Sequence, residues 1–213
     1  MRSLFLALAL ALATPPVSAE PVPFDGAWKT QRFSLFSSNT YRFNGSELDV
    51  LSDGSVSMAY MALDPSRWSA RDAEWNWSVV ESVAATDLTR KGGDDRNLAL
   101  YFVFLPEAEA KSLRGGNIRK LLGNEQARVL VYVWGGDHGR KQQLDSPYLG
   151  TRGKTVVLRN AGTGTHRENV DLARDYQQAF GGEVEALVGL AISADSDDTD
   201  GAIRARIAGL RLD

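Results

Sequence analysis

An all-β fold, an antiparallel β-sandwich or jelly roll with one short helix and a few long loops, is what this chain predicts. Two observations carry that reading. Short alternating or apolar runs recur at 55–62, 75–80, 98–105, 128–134, 154–159, 187–194 and 203–212. Between them stand turn-forming clusters: Asn44-Gly45, Asp53-Gly54, Lys91-Gly92-Gly93-Asp94-Asp95, Gly135-Gly136-Asp137 and 195–201. Seven or more strands at this spacing with so little helix indicate two packed sheets.

Two stretches break the pattern. In 107–122, Ala108, Ala110, Leu113, Ile118 and Leu121 are interrupted by Gly115-Gly116, which fits a broken helix or a long loop. In 169–180, Val170, Leu172, Ala173, Tyr176 and Phe180 fall near one helical face, and Gly181-Gly182 stops it. That is the one short helix. Neither a repeat nor a composition break divides 20–213, so a single domain is expected there.

Ahead of it, Arg2 and an apolar run over 4–13 lead to Pro15-Pro16 and then Val17-Ser18-Ala19. This pattern predicts a secretory signal peptide over 1–19 with cleavage after Ala19. The apolar run is about ten residues, against about twenty for a bilayer span. No later segment is long and apolar enough to cross. A periplasmic or secreted protein is expected, with no membrane span after cleavage.

Composition excludes several classes. Of 213 residues, 24 are Lys or Arg and 27 Asp or Glu, and the net charge of −3 does not suit general nucleic-acid binding. Cysteine is absent, which removes disulfides, thiolate chemistry and cysteine metal sites. With His138 and His166 as the only histidines, a multi-histidine metal centre is excluded too. There is no Gly-x-Ser-x-Gly context for a serine hydrolase.

Several motifs follow one another in a set order. Glu74-Trp75-Asn76-Trp77-Ser78-Val79 precedes Lys91-Gly92-Gly93-Asp94-Asp95, which runs into Leu100-Tyr101-Phe102-Val103-Phe104. Val131-Tyr132-Val133-Trp134, Arg174-Asp175-Tyr176 with Phe180-Gly181, and Ala191-Ile192-Ser193-Ala194-Asp195-Ser196-Asp197-Asp198-Thr199 come after. Over 34–212 this order resembles the bacterial domain-of-unknown-function family 3047. The resemblance implies an exported β-sandwich and brings no catalytic residues with it. It also implies a basic residue after the Asp-Asp pair, where Asn97-Leu98-Ala99 is read.

Trp75 and Trp77 stand two apart on a strand, and so do Tyr132 and Trp134, so each pair shares a face. Sugars present C–H patches that stack on such rings. Trp77, Tyr132, Trp134, Asp137 and Tyr148 are therefore candidates for binding a carbohydrate or polysaccharide, with Trp68 as a further ring in a turn-rich context. Trp134 leads, because Gly135-Gly136 ends its strand and would leave the ring near a rim. The competing account packs these rings between the sheets.

The acidic turns offer more chemistry. Asp195, Asp197, Asp198 and Asp200 put four carboxylates into six residues of one turn, oxygen ligands of the kind a structural Ca²⁺ takes, although no glutamate closes an EF-hand pattern. No other cofactor is implied. A solvated turn bonding its own backbone is the plain alternative. Asp94, Asp95 and Asp195 are candidates for acid–base cleavage of a glycan, with His138, His166 or Tyr132 assisting; such a carboxyl pair stands roughly 5–10 Å apart. Adjacent Asp94 and Asp95 would face opposite ways, so at most one enters a cleft. Asp175 reads as the ion-pair partner of Arg174. A carbohydrate binder is the first expectation and a glycan-cleaving hydrolase or lyase the second. An envelope assembly protein, meeting a protein partner through a sheet edge or 107–122, is the third.

Overall fold

Thirteen strands and three short helices follow one another through residues 19–113 and 118–213, the part of the chain described by the computed structural model. The expected signal peptide, Ala19 apart, lies outside these residues, as do Gly115 and Gly116. Strands β1 (Glu20–Pro21), β2 (Lys29–Arg32), β3 (Thr40–Phe43), β4 (Glu47–Asp53) and β5 (Val56–Ala62) come first. A 3₁₀ turn over Pro65–Arg67 leads to β6 (Asp72–Glu81) and β7 (Arg96–Leu105). Helices α1 (Glu107–Ser112) and α2 (Ile118–Gly123) precede β8 (Arg128–Gly135), β9 (Gln143–Ser146), β10 (Gly150–Arg159) and β11 (Gly164–Asp171). Helix α3 (Leu172–Phe180), β12 (Ala186–Asp195) and β13 (Ala202–Leu212) complete the order.

The strands form two sheets packed as a sandwich of the jelly-roll kind. One has the order β11-β6-β13-β4-β3, with β1 also on β13; the other is β2-β5-β12-β7-β8-β10-β9. Every pair is antiparallel except β8 with β10. That exception within the expected antiparallel sandwich has a local cause. After β8 the chain returns along the sheet edge as β9, antiparallel to β10, so β10 starts from the same end as β8. The single expected helix becomes three. The 107–122 stretch contributes α1 and α2, while residues 169–171 belong to β11, paired through Asp171 with Asp72. Asp171 then caps α3 by accepting from the Arg174 amide at 2.8 Å. No helix among the described residues is long and apolar enough to cross a membrane.

The gap between the sheets is filled by rings. Trp75 and Trp77 of β6 meet edge-on at 5.5 Å. Trp75 packs on Phe102 and Tyr132, and Trp77 packs on Trp134 at 5.6 Å. All four of these Trp and Tyr side chains are at most 1% exposed. This corrects the expectation that Trp77, Tyr132 and Trp134 face a ligand. The alternation does put each pair on one face, but that face is the inner one, and large rings span a gap of about 10 Å between sheets. Trp68 is buried as well, its Nε1 donating to the Leu63 carbonyl at 3.1 Å. The polar tips find partners inside: Trp77 Nε1 donates to Glu168 Oε1 at 3.1 Å, and Tyr132 OH to Asp175 Oδ2 at 2.8 Å.

Replacing Trp134 with Ala removes a ring from the middle of this stack. Urea unfolding should show a loss of about 3–5 kcal/mol, whereas a loss below 1 kcal/mol would return the ring to the surface.

Candidate functional site

Because Phe102 points into the sandwich, its neighbour Tyr101 points to the outer face of the seven-stranded sheet. Ser193 of β12 stands on the same outer face, and its Oγ lies 3.0 Å from Tyr101 OH. Register sets Arg96, at the start of β7, opposite Asp195, at the end of β12. On the other side Arg96 pairs with Gly135 of β8. A Cβ at Gly135 would stand 2.6 Å from Arg96 Cβ, so only glycine admits the arginine backbone this closely.

The Arg96 guanidinium is nearly buried and holds four oxygens. Nη1 lies 2.8 Å from Asp94 Oδ2 and 3.1 Å from Asp195 Oδ2, and also donates to the Asp94 carbonyl at 2.8 Å. Nη2 donates to Tyr101 OH at 3.0 Å. Asp94 and Asp195 are only 3% and 4% exposed. Asp94 Oδ1 accepts from Tyr148 OH at 2.9 Å. Tyr148 comes from the β9–β10 connection, which closes onto the strand because Gly153 has no Cβ to strike Ser146 and Leu149. Tyr148 remains 54% exposed, with Lys91 Nζ 5.4 Å from its ring centroid.

Asp95 turns the other way, as adjacent residues on an extended chain must. It accepts from the amides of Asp198 (3.3 Å) and Thr199 (2.8 Å) and from the Thr199 hydroxyl. Asp198 answers by accepting from the Asp94 amide. The 196–201 turn is thereby latched to the run into β7.

Burial pushes the Asp195 carboxyl up to about 8; Asp197 and Asp95 push in the same direction, and Arg96 opposes them. Burial likewise raises Asp198, with Asp197, Asp95 and Asp94 adding to it. For Tyr148, burial and the bond to Asp94 both hold the proton on. Burial would lower Arg96, but Tyr101, Asp195 and Asp94 outweigh it and keep the guanidinium charged.

Of the residues singled out from the sequence, Asp94, Asp195 and Tyr148 meet here, and Asp95, Asp197 and Asp198 adjoin them. Asp95, Asp197 and Asp198 each bring a carboxylate oxygen within 4.8 Å of the others and are the residues that could hold a cation. Asp200, at φ 49°, is not of that group. His138 lies in the β8–β9 connection, where Nε2 accepts from the Leu88 amide at 3.0 Å. An Asp87 oxygen lies 3.2 Å from the same nitrogen. Asp137 is exposed, 3.8 Å from His138. His166 on β11 packs against Trp134 at 4.9 Å. Asp175 pairs with Arg174 at 3.2 Å as expected, and also takes the Tyr132 proton donor.

Arg96, Tyr101 and Ser193 escaped the sequence reading. Arg96 had a signal: it immediately follows the Asp-Asp pair and supplies the basic residue sought at Asn97-Leu98-Ala99. Asn97 instead accepts from the Val83 amide and donates to Ser82 and Gly162.

The family model described as "Protein of unknown function (DUF3047)" matches residues 26–211. The chain belongs to the DUF3047 family. A comparison with curated proteins returns no match. Among solved structures, the chain is similar to the xyloglucanase domain of NopAA, a type three effector from Sinorhizobium fredii, in complex with cellobiose. The identity is 10% and the TM-score 0.47, covering 87% of this chain and 92% of that one. It is also similar to the family 11 xylanase from Neocallimastix patriciarum, at 10% identity and TM-score 0.36, covering 87% and 99%.

A carboxyl whose folded value rises from its ordinary 3.8 to about 8 binds its proton more tightly in the folded state. Its contribution is whole below pH 4 and is lost as pH climbs through 8. In chelator-treated buffer, the urea midpoint of the natural chain should fall over that interval, and Asp195→Asn should flatten the fall. An unchanged slope in the variant would clear Asp195 of this role.

Proposed function

We propose that this DUF3047 protein is exported and binds carbohydrate on the outer face of the seven-stranded sheet, where Tyr148, Lys91 and Asp94 meet. The single observation that carries the reading is the exposed Tyr148 ring, held by its hydroxyl on a buried carboxylate. A ring fixed in this way offers a stacking surface at little further cost in side-chain freedom. Lys91 beside it, and the exposed carboxylates of Asp197 and Asp198 on the adjoining turn, supply donors and acceptors for sugar hydroxyls. Arg96 serves the site by holding Asp94 in place. The leader over 1–19 is the ground for export, and an envelope or external polysaccharide is the class of ligand such a protein would meet.

A second reading, glycan cleavage, draws on one distance. Asp94 Oδ2 and Asp195 Oδ2 share one nitrogen and so stand no more than about 6 Å apart. Carboxyl pairs of retaining glycosidases stand about 5–5.5 Å apart. Arg96 lies between these two, and both are almost wholly buried, which favours binding over cleavage.

Calorimetric titration with a polysaccharide panel should find one class that binds saturably. Tyr148→Ala, measured well below its melting temperature because Asp94 loses a donor, should weaken that binding by at least about tenfold, and equal affinity would sink the Tyr148 site. The same mixtures, assayed for new reducing ends, decide the second reading: ends that form with the natural chain and vanish with Asp94→Asn would make it an enzyme.

A further inference from the structure

Five aspartates, Asp94, Asp95, Asp195, Asp197 and Asp198, gather where the 196–201 turn meets the run into β7, and Arg96 pairs with two of them. Three of the five bring carboxylate oxygens within 4.8 Å of one another: Asp95, Asp197 and Asp198. Oxygens bound to one Ca²⁺ at about 2.3–2.6 Å lie at most about 5 Å apart, so these three fit a single coordination shell. Asp95 keeps a lone pair for this purpose. Its Oδ2 takes both Thr199 donors, while Oδ1 takes the Asp198 amide alone.

A separate observation points to the same place. Asp195 Oδ1 is buried and has no hydrogen-bond donor. The carboxyl of Asp197 is within hydrogen-bond reach of the Asp195 carboxyl. A carboxylate oxygen removed from water and facing another carboxyl lacks a positive partner on that side.

We propose that Asp95, Asp197 and Asp198, with Asp195 Oδ1 beside them, bind a Ca²⁺ ion. The donors are all hard oxygens, with no imidazole or thiolate among them, which favours calcium over zinc or copper. The turn supplies carboxylates at uneven spacing, a geometry that calcium's flexible six- to eight-fold shell accepts and magnesium's strict octahedron does not. Water completes the shell on the exposed side of Asp197 and Asp198. Compared with the set expected from sequence spacing, Asp95 of a distant turn replaces Asp200. The ion would fasten the 196–201 turn to the start of β7, and it does so whether or not carbohydrate binds nearby.

The test is calcium itself. The chain, freed of metal with chelator, is titrated with CaCl₂ by calorimetry and melted at each concentration. One saturable site is expected, with a Kd on the order of 10⁻⁴–10⁻³ M as in extracellular modules. The melting temperature should rise with calcium as ligand linkage requires and fall again with chelator. The double variant Asp197→Asn, Asp198→Asn should lose the calcium response, its melting temperature being the same with calcium as in chelator, whatever that baseline is after the loss of the Asp198 bond to the Asp94 amide. Absence of heat and of any melting shift up to about 10 mM calcium would overturn the site. So would undiminished binding by the double variant.

Discussion

The distance between the two sheets is set by rings, and much else follows from filling that space. Trp75, Trp77, Phe102, Tyr132 and Trp134 touch one another across the gap. Each large ring carries a polar tip or needs a neighbour that can accept one. Glu168 of β11 accepts from Trp77 and is in turn held by Arg159 at 2.7 Å. Asp175 of α3 accepts from Tyr132 and is held by Arg174. The packing of the core thus reaches outward and dictates two charged pairs at its margin. Trp75 Nε1 is buried without a hydrogen-bond partner among the described residues, its ring packed between Phe102 and Tyr132.

Rings used in this way are not free for ligands, and the buried charges gather instead on the outer face of the seven-stranded sheet. There a second constraint governs, the guanidinium of Arg96. A buried cation is tolerated only with its donors satisfied. Asp94, Asp195 and Tyr101 satisfy them, drawn from β7 and its approach and from the end of β12. Removing any one would take an acceptor from a guanidinium with little access to water, so each position costs more to change than one partner of an exposed pair. Tyr148 gains its fixed orientation from the same assembly, through Asp94.

The sequence made some of this legible and hid the rest for physical reasons. Strands with apolar runs or strong alternation, such as β7, β8 and β12, stood out because both of their faces are buried. Edge strands did not: β2 (KTQR), β9 (QLDS) and β11 (GTHRENVD) are missing from the expected runs, and the end of β11 falls within the expected helix, since one side of each faces water and their composition follows solvent. Period-two spacing correctly put Trp75 with Trp77, and Tyr132 with Trp134, but spacing cannot say which face of a sheet is inward. Asp94, Asp195 and Tyr148 were each visible as candidates. Their convergence on Arg96 was not, because it depends on the pairing of β7 with β12, strands separated by about ninety residues of chain.

The acidic corner can be understood through its charge. Arg96 offers one positive charge to Asp94 and Asp195 together, which leaves an excess on the side where Asp95, Asp197 and Asp198 also stand. Exposed Asp197 and Asp198 can rely on water. Asp195, at 4% exposure, cannot, and its free oxygen must either carry a proton or face a cation. These are alternative answers to one electrostatic excess, and they exclude each other at that oxygen. Both leave the bridge to Arg96 through Oδ2 untouched, so the Asp94–Tyr148 arrangement survives whichever is in force. The turn that fastens the sandwich's last strand is therefore sensitive to its ionic surroundings, while the bond from Tyr148 to Asp94 is not.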